Sequence, residues 1–348
     1  IGSETSVLSP TLFDIQVNGA KGINLQTADV RPEDVRAVTD VLAAWGVSHW
    51  IPTLVTGSLD TMERACRVVV EAMRDPVVAR AVPGLHCEGP CISPVDGPRG
   101  AHPRQYVRDP KLSEFDRLLD AANGHIVYTT LAPELPGAIP YIKGLVRRGV
   151  VVSLGHHQAT AEQIARAVDA GAAMCTHLGN GLASTIHRHV NPLWPQLADD
   201  RLAASLIPDL HHLPPAMLKS LARAKGPDRA IFTSDAVHMT LLKPGAYELA
   251  GAKVELKPSG RICLSGTDLL AGSSLMLLQG VVNAVREADL TWKQTVACAS
   301  TIPARVLGLP YRFNPPKVGK KADLVVFDVN KHGKAAVQCV FIDGKRVK

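Results

Sequence analysis

The sequence predicts an α/β fold whose main body is a (β/α)₈ TIM barrel. Short apolar runs alternate with segments of helical periodicity up to residue 235, and eight such units fit within about 240 residues. The runs lack polar alternation, which is typical of a parallel sheet covered by helices. Eight units in this length favour a closed barrel over an open doubly wound sheet. No G-x-G-x-x-G follows the first run, which argues against a dinucleotide-binding fold.

The individual elements follow from this alternation in chain order. The predicted strands cover residues 11–17, 48–55, 81–87, 125–131, 150–154, 173–176, 203–207 and 230–233. Amphipathic stretches follow most of these strands, and they predict helices at residues 32–45, 58–73, 112–122, 135–147, 161–170 and 214–224.

The pattern changes after residue 235. Residues 247–255 and 261–264, joined through Pro258, Ser259 and Gly260, predict a β-hairpin. Helices are expected at about 273–286, 291–299 and 302–307, and the tail predicts strands at 322–327 and 336–342 with a turn near Gly344.

These elements predict two structural parts. We expect a barrel over residues 10–310, with the hairpin as an insertion at about 246–264, and a small β appendage from residues 1–9 and 316–348. The chain begins at Ile1 and enters a buried-looking strand almost at once, so we expect this appendage to be incomplete.

Composition excludes several classes of function. The net charge is +6, but Lys and Arg are scattered and aromatic residues make up only 4% of the chain, which argues against nucleic-acid binding. No apolar run reaches membrane-spanning length. The seven cysteines are dispersed without a C-x-x-C motif, which predicts reduced core residues and a cytoplasmic location.

Polar side chains gather where the predicted strands end. In barrels of this type the functional site lies at the carboxyl ends of the strands. Six of the eight strands lead into polar or metal-binding groups, namely Gln16 and Asn18, His86 and Glu88, His156 and His157, His177, His211 and His212, and Asp235. One or two such placements are expected by chance, but six together predict a site at this face.

A divalent metal ion fits three of these residues. Glu88, His156 and His177 offer one carboxylate and two imidazoles, a set that suits Zn²⁺, Fe²⁺ or Co²⁺ and leaves a coordination position open for catalysis. Such an ion lowers the pKa of water, and Asp235 could take a proton from that water and pass it to a leaving amine. The structural alternative for Asp235 is a helix N-cap.

Other candidates near this set have simpler interpretations. Cys87 and Cys91 flank Glu88, so a thiolate ligand is a minor alternative. We interpret His86 as a buried, hydrogen-bonded histidine. We place His157 and His211 behind the site or at the surface.

Short motifs occur in order along nearly the whole chain. They are D-I-Q-V-N-G at 14–19, P-T-L at 52–54, G-L-H-C-E-G-P at 84–90, G-A-H at 100–102, S-L-G-H at 153–156, T-H-L-G-N at 176–180, S-D-A at 234–236, L-A-G-S-S at 270–274 and P-A-R at 303–305. Together they resemble the amidohydrolase superfamily and, within it, the N-acetylglucosamine-6-phosphate deacetylases. The block around Glu88 and the two His motifs are specific, whereas P-A-R alone is weak.

The resemblance implies a role for each candidate residue. Glu88, His156 and His177 would hold the metal, Asp235 would be the acid–base, and His102 would polarise the acetamide carbonyl. The substrate-binding residues would be Asn180, Gly181, Arg188 and His212. The matching Arg in the family reaches the neighbouring subunit's site, so a homodimer is expected, with a phosphorylated amino sugar as substrate.

The expected cofactor is one divalent ion per subunit. Many amidohydrolases carry His-x-His at the end of strand one and bind two metals, but here Gln16 and Asn18 occupy those positions. Neutral amides are poor ligands for a second ion. Zn²⁺ is the first choice, with Fe²⁺, Co²⁺ or Mn²⁺ as alternatives.

Two alternative functions stay open. The sequence departs from the family at Gly179, at Gly181-Leu182, in the His-rich segment 187–189 and at Leu210, all near the sugar-binding loop. These departures motivate an amidohydrolase for another N-acyl sugar, an N-acyl amino acid or a cyclic amide. A catalytically silent barrel used for binding is the alternative from another class.

Overall fold

The computed structural model describes residues 6–309, 318–319 and 321–348. The expectations for residues 1–5, 310, 316–317 and 320 lie outside the described residues. The strands, in chain order, are β1 (Ser6–Pro10), β2 (Leu12–Val17), β3 (Gly19–Ala20), β4 (Ile23–Asn24), β5 (Val47–Val55), β6 (Leu85–Glu88), β7 (Ile126–Leu131), β8 (Val151–Leu154), β9 (Ala172–Cys175), β10 (Ala203–Leu206), β11 (Ala230–Phe232), β12 (Gly245–Leu249), β13 (Ala252–Leu256), β14 (Ile262–Leu264), β15 (Leu324–Val329), β16 (Ala335–Ile342) and β17 (Lys345–Arg346).

The helices surround these strands. In chain order they are α1 (Pro32–Ala44), α2 (Leu59–Ala72), α3 (Pro76–Ala81), α4 (Leu112–Ala121), α5 (Ala138–Arg147), α6 (Ala161–Asp169), α7 (Leu193–Ala198), α8 (Pro215–Lys225), α9 (Leu277–Glu287), α10 (Trp292–Cys298) and α11 (Thr301–Val306). No helix in the described ranges combines the length and the apolarity needed to cross a bilayer.

The predicted barrel is confirmed. Among the described residues, eight strands form one sheet in the order β2, β5, β6, β7, β8, β9, β10, β11, and every neighbouring pair is parallel. A parallel bridge between Val17 and Ala236 joins the first strand to the segment after the last. Because all eight strands run the same way, their carboxyl ends meet at one face.

Helix starts are encoded locally. Ser58 caps α2 by accepting a hydrogen bond from the Thr61 amide. Thr160 with Gln163, and Thr291 with Gln294, form reciprocal capping boxes at α6 and α10. Such caps satisfy amide groups that the helix itself leaves without partners, and the predicted starts of these three helices agree with the observed ones to within one residue. The helices α5 and α9, which have no side-chain cap, begin three and four residues later than predicted.

The third barrel strand begins later than predicted. Its expected first residue, Ala81, instead ends helix α3. Asp75 caps this helix by accepting from the Val77 amide, and Pro76 occupies its first turn, where a missing N–H costs nothing. The strand therefore spans only Leu85–Glu88.

The predicted two-strand hairpin is wrong in its pairing. The segment between residues 245 and 264, which is fully described, forms three antiparallel strands, β12, β13 and β14. Leu249 pairs with Ala252, so Ala250 and Gly251 form a two-residue turn, with φ of 50° and 82°. This is a turn with two positive φ values, which suits the twist of paired strands. The predicted single strand 247–255 is thus folded back on itself.

The C-terminal strands form a separate sheet with the first described strand. Over the residues that the structure describes, the order is β1, β15, β16, β17, all antiparallel. The predicted tail strands are confirmed, and Gly344 lies in the tight turn between β16 and β17 with φ of 75°. Val325 and Phe327 of β15 are buried against the barrel.

Candidate active site

The candidate site residues stand at the carboxyl ends of the barrel strands, as predicted. Glu88 ends β6, while His156, His177 and Asp235 lie two or three residues after the ends of β8, β9 and β11. The last three residues have left-handed backbones, with φ of 54°, 30° and 51°. Non-glycine residues rarely adopt this conformation, and it clusters at functional sites. At each of these three positions the left-handed conformation turns the backbone sharply after the strand.

Glu88, His156 and His177 converge in a buried cluster. Glu88 Oε1 lies 2.9 Å from His177 Nε2 and 3.2 Å from His156 Nε2, and the two Nε2 atoms are 3.1 Å apart. The three residues each offer one ligand atom within 4.8 Å of the others. All three are over nine-tenths buried.

The hydrogen bonds around the cluster fit a bound cation. His156 Nδ1 donates to the Pro98 carbonyl at 2.9 Å, because a carbonyl only accepts. In the neutral ring, Nε2 then presents a lone pair toward the Glu88 carboxylate. Lone pairs that face one another at this distance repel unless a positive charge lies among them. The donor set and its orientation therefore suit a divalent ion.

Electrostatics keeps Glu88 ionised. Burial alone would raise the pKa of Glu88, but hydrogen bonds and charge from His156 and His177 hold that pKa well below its usual range. Burial lowers the pKa of His177, which favours its neutral form. Burial opposes protonation of His156, but Glu88 outweighs burial and raises the pKa of His156. Metal binding requires an anionic carboxylate and neutral imidazoles, so an ion bound here would displace a proton from His156.

Asp235 is held by two amides from the first barrel strand. Gln16 Nε2 donates to Asp235 Oδ1 and to Glu88 Oε1 at 3.1 Å each, and Asn18 Nδ2 donates to Asp235 Oδ1 at 2.9 Å. Burial, followed by the charge of Glu88, raises the pKa of Asp235 to about 7. A carboxyl group with a pKa near neutrality is suited to both accept and release a proton.

His102 reaches the same cluster from the segment after β6. Its Nδ1 lies 2.9 Å from Thr56 Oγ1, and its Nε2 lies 3.2 Å from His156 Nε2. Arg99 holds the segment by donating to the His102 carbonyl at 2.5 Å. Burial, and then the neighbouring His156, lower the pKa of His102 to about 3, so its ring is neutral.

His212 lines the same cavity and is paired with an acid. Its Nδ1 lies 2.7 Å from Asp209 Oδ2. Leu210 between them takes φ of 66°, a conformation that glycine adopts more easily. Burial opposes protonation, but Asp209 outweighs it and raises the pKa of His212. Leu210, where the sequence departs from the family, adopts this backbone conformation, and His212 still lines the cavity.

The predicted substrate loop is divided between the cavity and the surface. Asn180 and Gly181 line the cavity, and Asn180 Nδ2 donates to the His177 carbonyl at 3.2 Å. A Cβ at Gly181 would lie 3.1 Å from His156 Nδ1 and from its backbone nitrogen. Arg188 is exposed, and in the described part of the chain it is not among the residues that line this cavity.

The remaining candidates lie outside the cluster of Glu88, His156 and His177. His86 is buried between Thr53 and Thr130, at 3.2 and 2.8 Å from their hydroxyls, and this agrees with its interpretation as a buried, hydrogen-bonded histidine. His157 is buried, and His211 Nε2 donates to the Ser259 carbonyl at 3.1 Å.

The cysteines near Glu88 remain protonated. Contact with Cys66, together with burial, raises the pKa of Cys87 well above its usual range. Burial raises the pKa of Cys91 to about 12. Neither side chain belongs to the converging group of ligand atoms.

Three contributors to the site were missed from sequence. They are the Thr56 hydroxyl, the Pro98 carbonyl and the donor role of Gln16 and Asn18 toward Asp235. Only Thr56 carried a signal, because it directly follows the second predicted strand, for which we assigned no polar group. The Pro98 contact depends on a loop whose path local sequence does not encode.

One cavity of about 930 Å³ lies at the carboxyl face of the barrel, and its lining includes Glu88, His102, His156, His177, His212 and Asp235. Its wall also includes Leu249, Ala250 and Gly251 from the β12–β13 turn. A cavity of this size fits a small organic molecule.

Comparisons with known proteins agree with this geometry. The amidohydrolase family model matches residues 7–347. The chain is 31% identical over 342 residues to N-acetylgalactosamine-6-phosphate deacetylase of Escherichia coli, covering 98% of this chain and 88% of that protein. It is 30% identical to N-acetylglucosamine-6-phosphate deacetylase of Vibrio furnissii, with 91% and 78% covered.

A solved structure of a deacetylase is also similar to this chain. The chain matches a mutant N-acetyl-D-glucosamine-6-phosphate deacetylase of Mycobacterium smegmatis, in complex with N-acetyl-D-glucosamine 6-phosphate, with a TM-score of 0.88 and 31% identity. The match covers 98% of this chain and 87% of that one.

Proposed function

Because the chain belongs to the amidohydrolase family, we propose that it hydrolyses the acetamide of N-acetylglucosamine 6-phosphate to glucosamine 6-phosphate and acetate. The observation that carries the proposal is the meeting of two groups in one cavity. These are the cluster of Glu88, His156 and His177, and the carboxyl of Asp235 with its pKa near neutrality. Known deacetylases share this architecture over nearly the whole chain.

Glu88, His156 and His177 would hold one divalent cation, with Zn²⁺ as our first choice. When bound, such an ion supplies Lewis acidity and makes water a stronger acid. Support for a single ion comes from Gln16 and Asn18, whose amide N–H groups point at carboxylates and offer no lone pair on that side.

Asp235 carries the proton in our proposal. Its Oδ1 accepts from Gln16 and Asn18, which leaves the other carboxylate oxygen to take the proton of the attacking water. The same oxygen then gives this proton to the nitrogen of the departing amine. His102 donates a hydrogen bond to the acetamide oxygen as negative charge develops there.

The phosphate end would be bound by Asn180, Gly181 and His212, with Arg188 supplied by a second copy of the chain. Support for this arrangement is that Arg188 is exposed in the loop after β9 and does not line the described cavity of its own chain. Ile186, Val190 and Trp194 beside it expose 37%, 76% and 48% of their surface. Apolar side chains exposed together suit an interface, so we propose a homodimer.

A reducing, cytoplasmic location is also part of the proposal. It is supported by the seven cysteines, which are all free, and six of them are buried. Disulfides are typical of oxidising compartments, so free thiols are expected in a reducing one.

A second candidate substrate is N-acetylgalactosamine 6-phosphate. The observation that favours it is the 31% identity to a deacetylase of that sugar over 98% of the chain. The two sugars differ at one ring hydroxyl, and the chemistry at the acetamide is the same.

A substrate panel tests the proposal. Purified protein reconstituted with Zn²⁺ should release equal amounts of acetate and free amine from N-acetylglucosamine 6-phosphate, and more slowly from the unphosphorylated sugar. The galacto epimer should be included at the same concentration. Activity confined to N-acyl amino acids or cyclic amides would contradict the proposal, as would absence of hydrolysis in metal-loaded protein.

Two variants assign the chemistry. Asp235→Ala should abolish release of acetate and retain bound metal, because Asp235 lies outside the ligand cluster. Asp120→Ala, on the exposed face of α4, is the control and should keep full activity. Turnover that survives in Asp235→Ala would refute the role of Asp235.

A further inference from the structure

Thr56 stands at the end of the second barrel strand, directly after β5, and is 2% exposed. Its Oγ1 lies 2.9 Å from His102 Nδ1 and 3.4 Å from the Glu88 carbonyl oxygen. We propose that Thr56 is a positioning residue that decides which ring nitrogen of His102 carries the proton. The hydroxyl donates to Nδ1, so that Nε2–H points into the cavity. This inference rests on the proposed function, in which His102 donates to the acetamide oxygen.

The first step is the choice between two arrangements. A neutral imidazole has one N–H and one lone pair. If Thr56 accepted from Nδ1–H, then Nε2 would present a lone pair to the cavity and could not donate to a substrate oxygen. If Thr56 donates, the tautomer is the one that catalysis needs. A hydroxyl has a single proton, so Thr56 gives it either to His102 Nδ1 or to the Glu88 carbonyl.

Distance favours His102 as the acceptor. A contact of 2.9 Å lies within the usual range for a hydroxyl bond, whereas 3.4 Å is at its limit. Gly89 is compatible with the hydroxyl in this place, because a Cβ there would lie 2.2 Å from Thr56 Oγ1. The turn after Glu88 therefore leaves room for the hydroxyl because residue 89 has no side chain.

The surroundings of His102 Nε2 also favour the tautomer in which Nε2 carries the proton. Nε2 lies 3.2 Å from His156 Nε2 and 4.0 Å from Glu88 Oε2. In the neutral form that a metal ligand requires, His156 bears a lone pair at Nε2, since its Nδ1 donates to Pro98. Glu88 presents a carboxylate oxygen, which only accepts. A third lone pair at His102 Nε2 would be repelled by both, whereas an N–H is attracted. His102 is also outside the group of three converging ligands, so it needs no lone pair for metal.

Two substitutions separate the hydroxyl from the shape of the side chain. Thr56→Val replaces the hydroxyl with a methyl group of similar size, and Thr56→Ser keeps the hydroxyl as the matched control. With N-acetylglucosamine 6-phosphate, Thr56→Val should lower kcat about 100-fold, the scale for losing one donor to a developing oxyanion. Its KM and its metal content should change little. Thr56→Ser should stay close to the parent protein in all three.

Nitrogen NMR reads the tautomer directly, without turnover. In Zn²⁺-reconstituted protein with ¹⁵N-labelled histidine, His102 Nε2 should be protonated and Nδ1 unprotonated, with the signals assigned by their loss in His102→Gln. Thr56→Val should shift the ring toward the other tautomer, and Thr56→Ser should not. If Thr56→Val fails to fold, the spectrum of the parent protein still decides.

The outcomes separate this inference from the proposed function. A parent ring protonated at Nδ1 would overturn the inference, as would a Thr56→Val protein with unchanged tautomer and unchanged kcat. A ring protonated at Nε2 and dependent on the hydroxyl supports it. If that spectrum is found in a protein that hydrolyses none of the sugars, the proposed function fails and the assignment of the tautomer to Thr56 stands.

Discussion

Asp209 and His212 illustrate how a single charged contact outweighs burial. Both side chains are buried, and burial alone would favour their neutral forms. The 2.7 Å contact instead lowers the pKa of Asp209 and raises the pKa of His212. A positively charged His212 at the cavity wall would attract a phosphate, so the acid determines the charge of the proposed phosphate site.

Asp209→Asn should therefore lower the pKa of His212, because burial would then act without the opposing carboxylate. The folded pKa of His212 is above its unfolded value, so this residue stabilises the fold below about pH 6.5 and loses that effect as pH rises through the folded pKa. The substitution should reduce the free energy of unfolding more at pH 6 than at pH 9.

Two measurements check this prediction. Urea unfolding at pH 6 and pH 9 gives the free energy of unfolding, and NMR titration of the His212 ring signals gives the pKa of His212. Asp120→Asn at an exposed site should show no such difference between the two pH values. An unchanged His212 pKa in Asp209→Asn would contradict the assignment.

The ligand residues lead to a prediction of metal count. Gln16 donates to Asp235 and to Glu88, and Asn18 donates to Asp235, so both act as hydrogen-bond donors where a second ion would need ligands. Elemental analysis after dialysis should find one divalent ion per chain, and Glu88→Gln should reduce this strongly. Two ions per chain in anomalous scattering would show that the amides do not exclude the second site.

At the scale of elements, the turn between β12 and β13 is under backbone strain. Ala250 takes φ of 50° and precedes Gly251 at φ of 82°. An alanine in this region costs roughly 1–2 kcal/mol, whereas Asn tolerates it, and Asn-Gly is the preferred pair for this turn. An Ala-Gly pair is not a typical sequence signal for this turn. The sequence therefore predicted one continuous strand over residues 247–255.

Ala250→Asn should raise the free energy of unfolding by about 0.5–1 kcal/mol, because it relieves part of this left-handed strain. Ala252→Asn is the control, since residue 252 lies in extended β13, where Asn is disfavoured. Urea denaturation compares the two. Equal effects of both substitutions would mean that the turn conformation is not the cause.

At the scale of the whole molecule, the proposed homodimer makes each site depend on two chains. A site would combine Asp235 of one protomer with Arg188 of its partner. Arg188→Ala and Asp235→Ala proteins should each be inactive or nearly so on the phosphorylated sugar. Mixed after dissociation and reassociation, they should recover about a quarter of parental activity, since half of a random mixture is heterodimer with one intact site.

Acetate release before and after mixing measures this recovery. If Arg188 acted within its own chain, every heterodimer site would lack one of the two groups and mixing would restore nothing. A chain that sediments as a monomer while fully active would equally contradict the dimeric site. Arg188→Lys tests the planar guanidinium and should recover only part of the activity.

Sequence alone determined the barrel and the grouping of the residues proposed to hold a metal. Apolar runs and helix caps are local signals, and each strand forms because its own residues are apolar. Once all strands are parallel, residues at their carboxyl ends must share a face, so Glu88, His156, His177 and Asp235 could be brought together without coordinates. Their positions in the structure agree with that reasoning.

Tertiary structure alone decided contacts between segments that are distant in the chain. The Thr56 hydroxyl meets His102 across 46 residues, and Pro98 meets His156 across 58. The start of β6 and the fold of residues 245–264 were mispredicted for a different, local reason, because a helix cap and a strained turn are not visible in apolar periodicity. Periodicity encodes which face of an element is buried. The distances between polar atoms on different loops arise only when the packed barrel brings those loops together.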